Sequence, residues 1–222
     1  MYYKAGLAFL LLGATVVAQG AELKTEKQRF SYTLGFQVGA DFKRKGIEID
    51  PNTFAAAIAD VAAGKKPALS QEQMQAALEN YRQTMIARVQ ALAAENQKAG
   101  DAYREANRKK AGVKELPNGL QYKVLKEGSG KQPQPSDTVE VHYRGTLVDG
   151  REFDSSYNRK ETVTFPLTGV IKGWQEILPL MKIGEKREVV IPPELAYGPN
   201  GSPPAIGPNS TLIFEIELIG IK

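Results

Sequence analysis

No proline interrupts the chain between Gln71 and Ala111, and this run of helix formers constrains what the 222 residues can fold into more than any other feature. Ser70 stands three residues before Gln73, the spacing of a capping box in which each residue satisfies the other's free backbone N–H. Met74, Leu78, Tyr81, Met85, Val89 or Arg88, and Leu92 follow at steps of four and three, an apolar stripe along one helical face. Gln, Glu, Arg and Lys fill the other faces. Beyond Leu92 the stripe thins to Ala99, Tyr103 and Ala106, with Gly100 as a soft point. Such a helix spans about 60 Å at 1.5 Å per residue, too long to bury both ends in one small core. The expectation is a projecting stalk over 70–111; the competing one is a packed helix that breaks at Gly100.

The sequence on either side differs in kind. Upstream, Phe30, Leu34, Val38 and Phe42 recur at helical spacing within Lys24–Lys45, and Gly35 and Gly39 allow a second helix to approach closely. Ile49-Asp50-Pro51 breaks this element, and Pro51 suits the first turn of a second helix reaching Ala63. Residues 21–69 therefore read as a small helical region. Of the thirteen prolines, all but Pro51 and Pro67 lie beyond Gly112. There the pattern becomes alternation: Leu120-Tyr122-Val124, Val139-Val141-Tyr143, Val163-Phe165-Leu167 and Leu212-Phe214-Ile216-Leu218, with a further strand over Lys186–Ile191 and a hairpin signal at Asp149-Gly150. Only Val170–Met181 reads as helical. Residues 112–222 are thus expected to form an α+β domain, an antiparallel sheet wrapped on one short helix.

Composition narrows the chemistry. The chain has no cysteine and one histidine, which excludes disulfides and thiolate chemistry and leaves no histidine-rich metal site. Acidic residues number 25 against 29 basic ones, with no run of like charge longer than Arg108-Lys109-Lys110, so no nucleic-acid partner is expected. At the N-terminus, Lys4, the apolar run Ala5–Val17 and the small residues Ala18, Gly20 and Ala21 read as a cleaved export leader over 1–20. Cleavage before Ala21 is expected, with Ala18 as the alternative end and a retained anchor as the competing reading.

The motifs that carry chemistry are Val141-His-Tyr-Arg-Gly-Thr-Leu147, Asp149-Gly-Arg-Glu-Phe-Asp-Ser-Ser156, Val170-Ile-Lys-Gly-Trp174 and Ala196-Tyr-Gly198. In this order and at these separations they resemble the FKBP family of peptidyl-prolyl cis/trans isomerases over Leu116–Lys222. The helical N-terminal half is similar to the secreted macrophage infectivity potentiator (Mip) subgroup of that family. His142, Asp154 and Ser155 also offer the residue types of a hydrolase triad, but alternation turns His142 away from Tyr143, and no nucleophile-elbow motif is present.

The resemblance implies a site. Trp174 would form the floor of an aromatic pocket, walled by Tyr143, Phe153 and Phe214 and rimmed by Val170 and Ile171, with Ile206 as a further substrate contact. The Ile171 N–H would receive a substrate carbonyl, Tyr197 would donate its hydroxyl to the carbonyl of the rotating bond, and Asp154, steadied by Arg159, would tune the local field. Neither metal nor cofactor is implied. Implied partners are unfolded or folding proteins with exposed X-Pro bonds, macrolides such as tacrolimus and rapamycin, and a second copy of the chain, paired as a homodimer through the N-terminal helices. The implied compartment is the periplasm, with outer-membrane association left open. Val163, Ser202 and Ala205 depart from the family's usual aromatic, histidine and larger aliphatic, so macrolide affinity and the preferred residue before proline stay unassigned. The alternative is a chaperone or adhesion module that uses the fold to bind without essential catalysis. Because every implied site residue lies beyond Gly112, the pocket is expected to form without the long helix.

Overall fold

A computed structural model describes residues 23–222; the expected leader and its cleavage site lie outside the described residues. The described residues divide into two compact units, the first ending at Ala56 and the second running over residues 57–222. Among the described residues no helix is long and apolar enough to cross a membrane.

In the first unit, α1 (Glu26–Lys45) starts at a capping box formed by Thr25 and Gln28 and stops at Gly46, whose φ of 67° takes the left-handed cap that favours glycine. Lys43, Arg44 and Lys45 sit in its last turn, where the helix dipole favours cations. The chain then enters α2 (Pro51–Ala62), and Phe54 at its start meets Phe42 edge to face at 5.7 Å. Neither helix buries a residue. Phe30 and Phe36 are 70% and 66% exposed, and a Cβ added at Gly35 or Gly39 would touch nothing within 4 Å.

The second unit contains α3 (Gln71–Asn107), started by the expected Ser70–Gln73 box. Every residue from Gln71 to Gln90 except Met85 is exposed. The helix runs through Gly100 without a break, and Gly100 and Asn107 are its buried residues. From Asn96 onward it does not project but lies along the sheet domain. Asn96 Nδ2 donates to the Pro208 carbonyl at 2.8 Å, Asn107 Nδ2 to Gln121 Oε1 at 2.9 Å, and Gln121 Nε2 to the Arg104 carbonyl at 2.9 Å. These bonds also explain why the helix ends at Asn107 rather than at Ala111. The Asn107 side chain is committed to the buried Gln121, and the chain turns back toward β1 (Val113–Glu115).

The sheet contains β1, β2 (Gln121–Lys126), β3 (Thr138–Leu147), β4 (Glu152–Ser155), β5 (Val163–Pro166), β6 (Lys186–Ile191) and β7 (Leu212–Ile221). Their order is β1-β2-β6-β7-β3-β4, with β5 also on β3, and every pair is antiparallel. Along β3, Val139, Val141, Tyr143, Gly145 and Leu147 face inward; along β7, Leu212, Phe214, Ile216 and Leu218 do the same. The expected helix over Val170–Met181 is shorter than its pattern. It is α5 (Lys172–Ile177), flanked by 3-10 turns at Leu167–Gly169 and Leu178–Leu180. Pro179, which has no N–H to give an α-helix, stands in the second of these turns. Trp174, Ile177, Leu178 and Met181 lie against the inward face of the sheet and close the core.

Gly100 is where α3 comes nearest the sheet domain. A Cβ there would lie 2.3 Å from Thr211 Oγ1 and 3.0 Å from Thr211 Cβ. Gly100→Ala raises helix propensity by about 1 kcal/mol, yet overpacking at so tight a contact costs about 1–3 kcal/mol. Chemical denaturation is expected to find the variant no more stable than the parent, and most plainly destabilised in the 57–222 unit. A gain in stability would show that Thr211 and α3 are not in contact.

Candidate active site

The site is built on β3, where side-chain alternation brings Tyr143 and Gly145 to the inward face. Gly145 pairs with Phe214 of β7. A Cβ on Gly145 would sit 2.5 Å from Phe153 and 2.8 Å from Phe214, so only glycine lets the two rings meet edge to face at 5.5 Å. On the other edge of β3 the register steps from Gly145 opposite Asp154 to Thr146 opposite Glu152. The unpaired residue is Phe153. This bulge turns Phe153 and Asp154 toward one cavity, whereas a regular strand would send neighbours to opposite faces.

Trp174 enters from α5, which lies close to β6 because Gly173 has no side chain; a Cβ there would be 2.6 Å from Ile191. The indole is 4% exposed. Tyr143, Phe165 and Phe214 each meet it edge to face, at 5.2, 5.7 and 5.3 Å. These rings surround a cavity of about 300 Å³, with Gly169, Val170 and Ile171 on one side and Tyr197, Phe153 and Asp154 completing the lining. Ile171 is the N-cap of α5. Its carbonyl accepts from the Trp174 and Gln175 N–H groups, while its own N–H lies ahead of the helical ladder. Tyr197 is 41% exposed, and its hydroxyl makes no hydrogen bond among the described residues.

One wall is charged. The Tyr143 hydroxyl donates to Asp154 and accepts from Arg159 Nη2 at 3.0 Å, while Arg159 also pairs with Asp154. Arg159 ends the short helix α4 (Ser156–Arg159), which Lys160 caps in the left-handed conformation at φ 58°. Partial burial pushes the Asp154 carboxyl up, but the hydrogen bonds from Tyr143 and Arg159 outweigh it and hold the group below the ordinary carboxylate value. Burial raises the Tyr143 phenol, and its bond to Asp154 raises it further against the opposing pull of Arg159.

Nearly all the expected site residues converge here, and Arg159 reaches the cavity through Asp154 and Tyr143. Ile206 does not. It is 4% exposed and belongs to the core, where its N–H and carbonyl both bond to Ser202, at 3.0 and 2.8 Å. Phe165 was not expected in the site. The register that sets it opposite the inward-facing Val139 could have revealed it. His142 faces away, stacked on Tyr157 at 4.8 Å, and its Nδ1 meets Ser156 Oγ at 2.9 Å. His142 thus meets Ser156 rather than Ser155, and Asp154 is held by Tyr143 and Arg159, so His142, Asp154 and Ser155 are not assembled as a triad.

An aromatic cavity with a carboxylate wall, set in an antiparallel sheet behind a long helix, has close counterparts. Residues 129–219 match the family described as FKBP-type peptidyl-prolyl cis-trans isomerase, and residues 27–124 match the domain amino terminal to it. The chain is 44% identical over 217 residues to the peptidyl-prolyl cis-trans isomerase Mip of Coxiella burnetii, covering 96% of this chain and 94% of that protein. It is 42% identical over 213 residues to the outer membrane protein MIP of Legionella longbeachae, covering 94% and 91%. The crystal structure of FkpA from Escherichia coli superposes with a TM-score of 0.65 at 41% identity, covering 90% of this chain and 98% of that one. The chain therefore belongs to the FKBP-type peptidyl-prolyl cis-trans isomerases and is an enzyme of that class. Within the family it falls in the Mip-like group, whose members carry the helical N-terminal part ahead of the isomerase domain.

The charged wall sets a pH dependence. Asp154 has a folded pKa below its unfolded value of about 3.9. Its contribution to stability is therefore complete above about pH 4 and is lost as pH falls through the lower folded value. The Tyr143 phenol is raised and stays protonated at neutral pH. Catalytic efficiency is expected to be flat from about pH 6 to 8, outside both titrations. Denaturant melts followed by fluorescence of Trp174, the chain's single tryptophan, are expected to show Asp154→Asn less stable than the parent at neutral pH. The difference should shrink below about pH 3. A difference that persists unchanged to pH 2 would mean that the ionised carboxylate contributes nothing to the wall.

Proposed function

We propose that the cavity accelerates rotation about X-Pro bonds by holding the proline ring over Trp174 and binding the twisted amide more tightly than the planar one. Rotation meets a barrier of about 18–20 kcal/mol because it breaks amide resonance. No nucleophile or proton transfer is required. The twisted amide is less polar than the planar one, so a dry aromatic enclosure favours it. Fixed donors then select its geometry: the Ile171 N–H for a substrate carbonyl and the Tyr197 hydroxyl for the carbonyl of the rotating bond. Asp154, held by Tyr143 and Arg159, supplies a fixed negative end beside that carbonyl. The observation that carries this reading is the enclosure of Trp174 by edge-on rings, with an uncommitted hydroxyl, that of Tyr197, on the lining.

The substrates on this reading are folding proteins with exposed X-Pro bonds, met in the periplasm after export through the leader read at residues 1–20. The same apolar floor would accept macrolides of the tacrolimus and rapamycin type. Second copies of the chain would pair through the N-terminal helices. That pairing is supported by the exposed Phe30, Leu34 and Phe36 and by the open glycine face of α1, since two-fold dimers are the commonest way to cover such a surface.

Tyr197→Phe removes one hydroxyl and leaves the ring. A hydrogen bond made only in the transition state and worth roughly 1–1.5 kcal/mol would lower kcat about tenfold. A standard proline-peptide assay is expected to show that fall, with thermal stability nearly unchanged. Parental turnover in the variant would remove Tyr197 from the mechanism. Separately, Phe30→Glu with Leu34→Glu is expected to convert a dimer to monomer in light scattering, with peptide isomerisation per pocket unchanged. A dimer that survives both changes would place the interface elsewhere.

A further inference from the structure

Tyr197 stands at the start of a long loop that returns to β7 at Leu212, and hydrogen bonds within the loop hold it, among them Ser210 Oγ to the Gly207 carbonyl at 2.9 Å. Ser202 and Ile206 exchange two backbone bonds across its middle, and the Gly198 carbonyl receives the Asn209 N–H at 2.9 Å at its base. The residue that makes this base bond holds φ at 52°, so the chain there is already fixed in a left-handed turn. One side-chain tie reaches this base from α3: Asn96 Nδ2 donates to the Pro208 carbonyl at 2.8 Å, across 112 residues of sequence. Pro208 is buried, and its carbonyl would lose this donor if Asn96 were apolar. The contact is built closely. A Cβ added at Gly207 would lie 2.8 Å from Asn96 Nδ2.

We infer that Asn96 is a positioning residue for the isomerase reaction. It holds Pro208, hence the Asn209–Gly198 bond, and hence the backbone that aims the Tyr197 hydroxyl into the cavity. The path is short: Asn96 to the Pro208 carbonyl, the next residue's N–H to the Gly198 carbonyl, and Tyr197 one residue before. It links α3 to the active site and so bears on the expectation that the pocket forms without the long helix. A chain cut at Ala111 keeps every cavity residue but loses the clamp on the loop that carries Tyr197. The inference rests on Tyr197 acting as the donor proposed above.

The test uses the full-length protein with Asn96→Leu, Asn96→Gln and Gly207→Ala, each with and without Tyr197→Phe. Gly207→Ala should push Asn96 off its carbonyl from the other side, and Asn96→Gln keeps a donor. A misplacement of an ångström can cost about 100-fold in rate, so loosening the loop is expected to lower kcat about 3- to 10-fold in Asn96→Leu and Gly207→Ala, with KM little changed. Asn96→Gln should recover most of the loss, and hydrogen exchange at the Asn209 N–H should quicken in step with the loss of kcat. With Tyr197→Phe present, Asn96→Leu should cost little more, because both changes act through one hydroxyl. If Tyr197→Phe lowers kcat but Asn96→Leu does not, this inference fails and the role of Tyr197 stands. If neither lowers kcat, the role of Tyr197 fails and the inference with it. A loss of kcat in Asn96→Leu that is undiminished with Tyr197→Phe present overturns the inference too, because Asn96 would then act by another route.

Discussion

The contacts around Trp174 are the ones on which the rest of the catalytic unit depends. An indole buried to 4% exposure must be met by groups that tolerate its edges and faces, and here the edges of Tyr143, Phe165 and Phe214 meet it nearly at right angles. Edge-to-face rings gain about 0.5–1.5 kcal/mol beyond the area they bury. The geometry also leaves space: rings standing upright around a flat one enclose a hollow, whereas stacked rings would fill it. Two glycines make the arrangement possible. Gly145 lets Phe153 and Phe214 close over β3, and Gly173 lets α5 reach β6. Core and cavity are thus the same construction, since the residues that hold helix to sheet are also those that line the hollow.

Electrostatics then divide the hollow. The Asp154 carboxylate faces inward from a bulge, between a phenol and a guanidinium that stabilise its charge. Both it and Arg159 are partly exposed, so water screens the pair and its contribution to stability is small. Its value is geometric: the carboxylate is ionised, fixed in place and turned toward a space otherwise lined by rings. Ile171 and Tyr197 line the same hollow. The hollow thus has a charged wall within an otherwise largely aromatic and aliphatic lining.

Much of this was legible in the sequence, the strands from their alternation and the site from its motifs. Trp174, Tyr143, Phe153, Asp154 and Tyr197 sit in motifs that resemble those of the FKBP family, and that resemblance, rather than strand period, implied that they share one pocket. The capping box at Ser70 is local. What stayed hidden depends on partners far away in the chain. The β4 bulge cannot be seen without the register against β3, and alternation alone would have separated Phe153 from Asp154. Phe165 belongs to the cavity because of what it faces across β3, and Ile206 is buried in the core instead. The docking of α3 was hidden for a different reason. The apolar stripe from Met74 to Leu92 attracts attention, yet the hydrogen bonds and the closest approach to the sheet domain come from Asn96, Gly100, Arg104 and Asn107, small or polar residues that a hydrophobic pattern passes over. Gly100, read as a weakness in the helix, is the point of closest approach.

That choice of face makes α3 a lever. From its contact at Gly100 back to Met74 the helix extends about 40 Å at 1.5 Å per residue, and almost none of that length is buried in the chain. A tilt of about 5° at the fulcrum would carry the far end through about 3 Å, more than a side-chain contact tolerates. The fulcrum is a glycine against a threonine, backed by asparagine bonds at 96 and 107, and these groups resist tilting better than a greasy contact of equal area because hydrogen bonds have direction. Whatever grips the far end of the helix is therefore connected, through a stiff rod and a directional joint, to the loop beside the cavity. A pull or twist applied at Met74 would be felt at Pro208.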